Sequence, residues 1–188
     1  MSSATTSGPE TMRLARDERA DLAEFLATIT PEQWEAPTLC TLWRVRDVVA
    51  HIYSYEDLGL IGFLRRFAAA GFNGDRSSAR GVAAYADHSP QDLLARARDH
   101  LQPTGLTALF GGRIALTDGL IHHQDIRRAL GILREVPAER VLAGATVRAR
   151  GPAHRRRQTP CAGSPSRRPI WPGPPARGPR SRARVRHC

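Results

Sequence analysis

Apolar residues recur at helical spacing from about Glu10 onward. Leu14, Leu22, Phe25, Leu26 and Ile29 share one face, with arginines and acids between them. Thr30-Pro31-Glu32-Gln33 then restarts the chain as a capped turn: Thr30 caps, Pro31 takes the first helical position and Gln33 completes a capping box, with Trp34 packing inward. A loop over 37–42 leads into a second long helix, in which Val48, Ile52, Tyr55 and Leu58 form a stripe with His51 beside it. The pattern predicts that this helix runs to about Phe72, with Gly59 and Gly62 weakening it but not stopping it, and that Asn73-Gly74-Asp75 ends it. Residues 74–88 read as a loop holding at most one helical turn. Ser89-Pro90-Gln91-Asp92 starts a third helix, whose apolar face is Leu93, Leu94, Ala97 and Leu101. Leu106, Leu109 and Phe110 anchor a loop between Gly105 and Gly111-Gly112. A fourth helix follows over Arg113–Leu130, closed by Gly131. No stretch alternates β-branched and polar residues, so the expected fold is an all-α four-helix bundle.

Charge changes this picture only at the end of the chain. The net charge of +10 looks like a nucleic-acid binder until it is mapped. All 18 acids lie at or before Glu139, and 12 of the 28 arginines lie in 148–188, so residues 1–147 carry 16 arginines against 18 acids. The globular part is mildly acidic, and nucleic acid is not the expected partner except through the basic tail. That tail holds 8 of the 14 prolines, no acid and few aliphatics. Such a composition buries too little apolar surface to offset its ordering entropy. The expected organisation is therefore a disordered 1–9, a helical bundle over 10–145 and a disordered Arg/Pro-rich tail over 146–188. The tail reads first as the frameshifted product of a GC-rich gene. A basic arm that contacts phosphates and a plain linker are the other two readings. Cys40, Cys161 and Cys188 are too few and too scattered for a disulfide framework, which points to a reducing, cytoplasmic setting. Met1–Pro9 has neither the basic start nor the apolar run of a signal peptide, and no apolar stretch is long enough to span a bilayer.

Two places combine histidines with apolar helical positions: Val48-Val49-Ala50-His51-Ile52, and Leu116 through Asp125 with His122 and His123. Asp118 and His122 are four apart, so they leave one face of a helix one turn apart, as two ligands of one metal must. His51 is the candidate third ligand from a facing helix. Two imidazoles and a carboxylate leave a position open for water or substrate, the pattern of catalytic rather than structural zinc. Spacing alone fits equally well a core histidine at 51 and a local polar pair at 118 and 122.

Trp43-Arg44-Val45-Arg46-Asp47-Val48-Val49-Ala50-His51 resembles the helix-two signature of the mycothiol-dependent maleylpyruvate isomerase family, a branch of the DinB-like superfamily. Leu22 to Cys40 and His122 to Gly131 are similar to that family's opening and to its helix-four signature. The resemblance implies a DinB-like four-helix bundle with a His/Glu/His site for a divalent metal, usually zinc. Carried over, His51 and His122 are the imidazole ligands and Asp118 stands in the carboxylate position, where the isomerases have Glu. It further implies mycothiol as thiol cofactor and a small electrophilic substrate. The metal would deprotonate the thiol, and the thiolate would add to the substrate in an isomerisation or a transfer. The alternative is a non-catalytic bundle that binds metal or a small ligand. Arg127 and Arg128 are the candidate contacts for an acidic thiol or substrate, against the reading of C-terminal charges favoured by the helix dipole. His123, rotated about 100° from His122, reads as exposed or loop-contacting. Asp125 either supports His122 or pairs with Arg128. Cys40 reads as a small buried apolar residue, and Asp47 as support for His51 or an early-turn acid.

Overall fold

The structure is a computed structural model that describes residues 7–145. The tail expected to be disordered, including Cys161, Trp171 and Cys188, lies outside the described residues. Eight helices and no strand occur among the described residues: α1 (Gly8–Leu26), α2 (Pro31–Trp34), α3 (Val45–Tyr53), α4 (Leu60–Ala69), α5 (Gly74–Ala83), α6 (Pro90–Asp99), α7 (Arg113–Ala129) and α8 (Ala138–Ala145). Helices α1, α3, α6 and α7 form a ring in which α1 packs on α6 and α7, and α3 packs on the same two. This is the expected DinB-like four-helix bundle. No helix among the described residues is long and apolar enough to cross a membrane.

The core follows the predicted stripes. Leu22, Phe25 and Leu26 of α1 meet Val45, Val48, Val49 and Ile52 of α3, Leu93 and Ala97 of α6 and Ile126 of α7. Trp34 is buried beside them, as expected. A second cluster joins Leu14 and Ala15 to Ala115, Leu116 and Ala143. The starts are capped as the sequence predicts at α2 and α6, where Thr30 and Ser89 each take part in a capping box behind a proline. Helix α1 begins at Gly8 under a Ser7 cap, so part of the stretch read as unstructured is helical.

The second helix does not run to Phe72. It stops at Tyr53, and the chain turns because Glu56 is drawn inward. The Glu56 carboxylate pairs with Arg19 and accepts hydrogen bonds from Thr107 Oγ1 (2.7 Å) and Thr104 N (2.9 Å), all at the bundle's end. A fully buried arginine needs that partner, and satisfying it outweighs continuing the helix. Gly59 then becomes the N-cap of a separate α4, and Asn73, instead of ending a helix, caps α5 through Arg76 N. Residues 74–88 thus hold a full helix where a loop was expected. Gly81 lets α5 lie against the end of α3: a Cβ there would stand 2.6 Å from Ser54 Oγ.

Two further expectations fail. Leu109 and Phe110 do not anchor their loop; both are exposed, and the buried residue is Thr107, held by Glu56. The chain after Gly131 forms α8, which no start signal marked. Its Arg140, Ala143 and Gly144 are buried against α1 and α7.

Candidate metal centre

The site lies where α3 and α7 face each other. Its approach is the segment 35–44, a tight turn built by hydrogen bonds. Thr38 Oγ1 donates to Trp43 O (2.8 Å) and accepts from Cys40 N (3.1 Å), and Trp43 N donates to Cys40 O (2.8 Å). The turn seats Trp43 against His51, with ring centroids 4.7 Å apart, and aims Cys40 at α7. Asp47 supports α3 rather than His51: its carboxylate accepts from Arg44 N (3.0 Å) and pairs with the Arg44 side chain.

His51 and His122 stand edge to face, with centroids 5.0 Å apart. Asp118 Oδ1 lies 3.4 Å from His122 Nε2 and 3.9 Å from His51 Nε2. Ligand atoms around a tetrahedral zinc with bonds of about 2.0–2.2 Å stand about 3.3–3.5 Å apart. The three atoms therefore fall close to one coordination sphere, and the shorter carboxylate of Asp118 reaches it without the extra methylene of Glu. The side chains of His51 and His122 are nearly buried, while that of Asp118 keeps a third of its surface open to solvent, so the group has an approach.

Electrostatics separate the two imidazoles. Burial pulls the His51 pKa below 6.5 against the attraction of Asp118, with His122 and Arg66 adding to the depression. Burial also opposes charge on His122, but the hydrogen bond to Asp118 and the charges of Asp118 and Asp125 outweigh it and raise its pKa. Burial likewise works against the Asp118 carboxylate, and the two histidines nonetheless hold it below the usual Asp range. Of the two imidazoles, His122 is the one whose surroundings favour the charged form. His51 Nδ1 is buried with no partner among the described residues.

Of the two readings of Asp125, support of His122 is the one observed: Asp125 Oδ2 lies 3.3 Å from His122 Nδ1. It also lies 3.3 Å from Cys40 Sγ, which stands 3.7 Å from His122 Nδ1. Cys40 is thus half-buried beside the site, not a plain apolar filler. Burial, then the Asp125 hydrogen bond, raise its thiol to about 11. Arg128 is exposed at the rim of a groove between α7 and α8 that Thr117, Ile121 and Asp125 also line. Arg127 is committed elsewhere: its guanidinium sits 3.9 Å over the Phe25 ring and its Nε donates to His123 Nε2 (2.8 Å).

His123 is not exposed; it is wholly buried, with Nδ1 3.0 Å from Glu18 Oε1. Arg127 is a donor only, so His123 Nε2 accepts and the ring is the neutral tautomer that donates from Nδ1 to Glu18. Glu18 also pairs with Arg134 and Arg140. Burial raises its pKa, but the hydrogen bonds of His123 and Arg134 prevail and hold it at about 2. Sequence reasoning missed this network, although Glu18 sits midway between Leu14 and Leu22 on the apolar stripe of α1. A charge in that position signals a buried partner.

Residues 15–105 match the mycothiol maleylpyruvate isomerase N-terminal domain family. The match spans most of α1 through α6 and includes His51. It ends before α7, so the placing of Asp118 and His122 rests on the geometry given above. No curated protein and no solved structure matches the chain. With three of the four bundle helices inside the matched stretch, α3 and its His51 among them, residues 15–105 belong to the mycothiol maleylpyruvate isomerase N-terminal domain family.

Proposed function

We propose that the protein is a metal-dependent, mycothiol-linked isomerase or thiol transferase. The observation that carries this reading is the convergence of one ligand atom each from His51, Asp118 and His122 within 4.8 Å of one another, with Asp118 partly open to solvent. The donor set, two nitrogens and one oxygen, suits zinc and leaves coordination positions for a ligand. A divalent cation held there would lower the pKa of a bound thiol or water.

The chain's own residues supply orientation and charge. Asp125 accepts from His122 Nδ1–H, which turns the lone pair of Nε2 toward Asp118. Trp43 and Tyr55 flank His51, at 4.7 and 5.6 Å between centroids, and fix its ring plane. Arg128 is better placed than Arg127 to meet an acidic thiol or substrate, because Arg127 already serves Phe25 and His123.

The test is elemental analysis of the purified chain, followed by mycothiol conjugation and maleylpyruvate isomerisation assays on the zinc-loaded protein. Activity that disappears in His51→Ala supports the proposal. Stoichiometric zinc with neither activity would identify the non-catalytic metal-binding bundle, and absence of metal binding would remove both.

A further inference from the structure

We infer that Cys40 Sγ, Asp125 Oδ2 and His122 Nδ1 form a second site, for a thiophilic divalent cation, on the opposite edge of the same imidazole. The three atoms lie within 4.8 Å of one another. Their separations are 3.3 Å for sulfur to carboxylate, 3.7 Å for sulfur to nitrogen and 3.3 Å for nitrogen to carboxylate. A tetrahedral zinc with a bond of about 2.3 Å to sulfur and about 2.0–2.2 Å to nitrogen and oxygen sets these edges at about 3.4–3.6 Å. The match is at least as close as that of His51, Asp118 and His122, where one edge is 3.9 Å.

The site is held from both sides. Cys40 belongs to the turn fixed by Thr38 and Trp43, so its sulfur is positioned by backbone hydrogen bonds and not by a free loop. Asp125 and His122 come from one turn of α7. All three side chains are only partly buried, so a cation can enter and water can complete its sphere. A thiolate ligand selects soft cations, which sets this site apart from the sulfur-free group on the other side of His122.

A neutral imidazole has one lone pair, so His122 serves one cation at a time. Coordination through Nδ1 requires the tautomer that carries its proton on Nε2, where Asp118 Oδ1 stands ready to accept it. The Cys40 thiol loses its proton to solvent as the metal–sulfur bond forms, with no change of oxidation state. Loading one site thus withdraws His122 from the other, and a thiophilic metal displaces the catalytic one. This inference shares His122 with the proposed function but needs no catalysis.

The experiment is cadmium titration of the full chain carrying Cys161→Ser and Cys188→Ser, followed by the ultraviolet thiolate-to-metal charge-transfer band. The expected result is a band that saturates at about one cadmium per chain. It persists in His51→Ala and is lost in Cys40→Ser. The Cys161→Ser/Cys188→Ser chain keeps all three proposed ligands, so a folding defect in Cys40→Ser does not decide the outcome. Absence of the band in the Cys161→Ser/Cys188→Ser chain, or its survival in Cys40→Ser, overturns the site and leaves a hydrogen-bonded cluster only. Saturation at two cadmium ions sharing His122 overturns the exclusivity. Because His51→Ala disables the first group alone, loss of thiol chemistry with retention of the band separates failure of the proposed function from failure of this site.

Discussion

His51 and His122 present their Nε2 atoms to the same oxygen of Asp118, although one histidine lies on α3 and the other on α7. Neither helix can shift along the seam without breaking that alignment. In a Cys40→Ser background, His51→Ala and His122→Ala are each expected to weaken zinc binding at least about a hundredfold, since each removes one of three protein ligands. Circular dichroism of both variants should keep the helical signal, because neither ring belongs to the apolar clusters. Unchanged zinc affinity by calorimetry in either variant would leave the triad without a role.

Asp125 acts one step away. With a cation on Nε2, its carboxylate would hold the proton of His122 on Nδ1, and an asparagine in its place would do this less well because an amide oxygen carries no charge. Asp125→Asn is expected to cost about 10–100-fold in zinc affinity while retaining the bound stoichiometry. Affinity equal to the parent chain would show that the His122 tautomer is set by something else.

The four-helix ring was legible because its apolar residues repeat at 3.6-residue spacing, and the starts of α2 and α6 because they carry Ser, Thr and Pro signals. The candidate triad was legible for a related reason: Asp118 and His122 sit at i,i+4, and His51 lies beside a clear stripe. What escaped was every feature decided by buried charge. The pull of Arg19 on Glu56 breaks a helix whose local sequence would continue it, and no propensity registers a partner 37 residues away. The same blindness read His123 as exposed or loop-contacting, where it is wholly buried. Helix α7 was given one buried face, but α1 and α8 cover a second one.

That helix-breaking pair makes a stability prediction. Arg19 and Glu56 are both almost wholly buried, so removing either partner strands a charge. Arg19→Met and Glu56→Ala are each expected to lower unfolding free energy by about 3–5 kcal/mol, and the double variant by less than the sum. Urea denaturation of the three chains reads this directly. Additive losses would mean that the two side chains act independently, contrary to their hydrogen-bonded contact.

Glu18 makes the pH dependence of the fold predictable. Burial opposes its charge, but His123 and Arg134 hold its pKa down from 4.5 to about 2. A carboxylate whose pKa is depressed in the folded state contributes stability that is fully present above 4.5, where both states are ionised. As pH falls below 4.5 the unfolded chain takes up the proton first, and the contribution drains away until the folded group titrates near 2. The span between those values corresponds to about 3 kcal/mol, and the side chain is fully buried, so solvent screening takes little from it. His123 adds an earlier loss of the same sign. Burial first, and the charges of Arg134 and Arg127 with it, outweigh the pull of Glu18 and leave its folded pKa below 6.5, so the unfolded chain also protonates there first. Glu18→Gln keeps an oxygen for the arginines but removes the titrating group. The parent chain is therefore expected to lose about 3 kcal/mol more than Glu18→Gln between pH 4.5 and pH 2, measured by urea unfolding across that range. Parallel pH profiles for the two chains would show that the buried carboxylate is already protonated in the fold, and the network of His123, Arg134 and Arg140 would then need another source of negative charge.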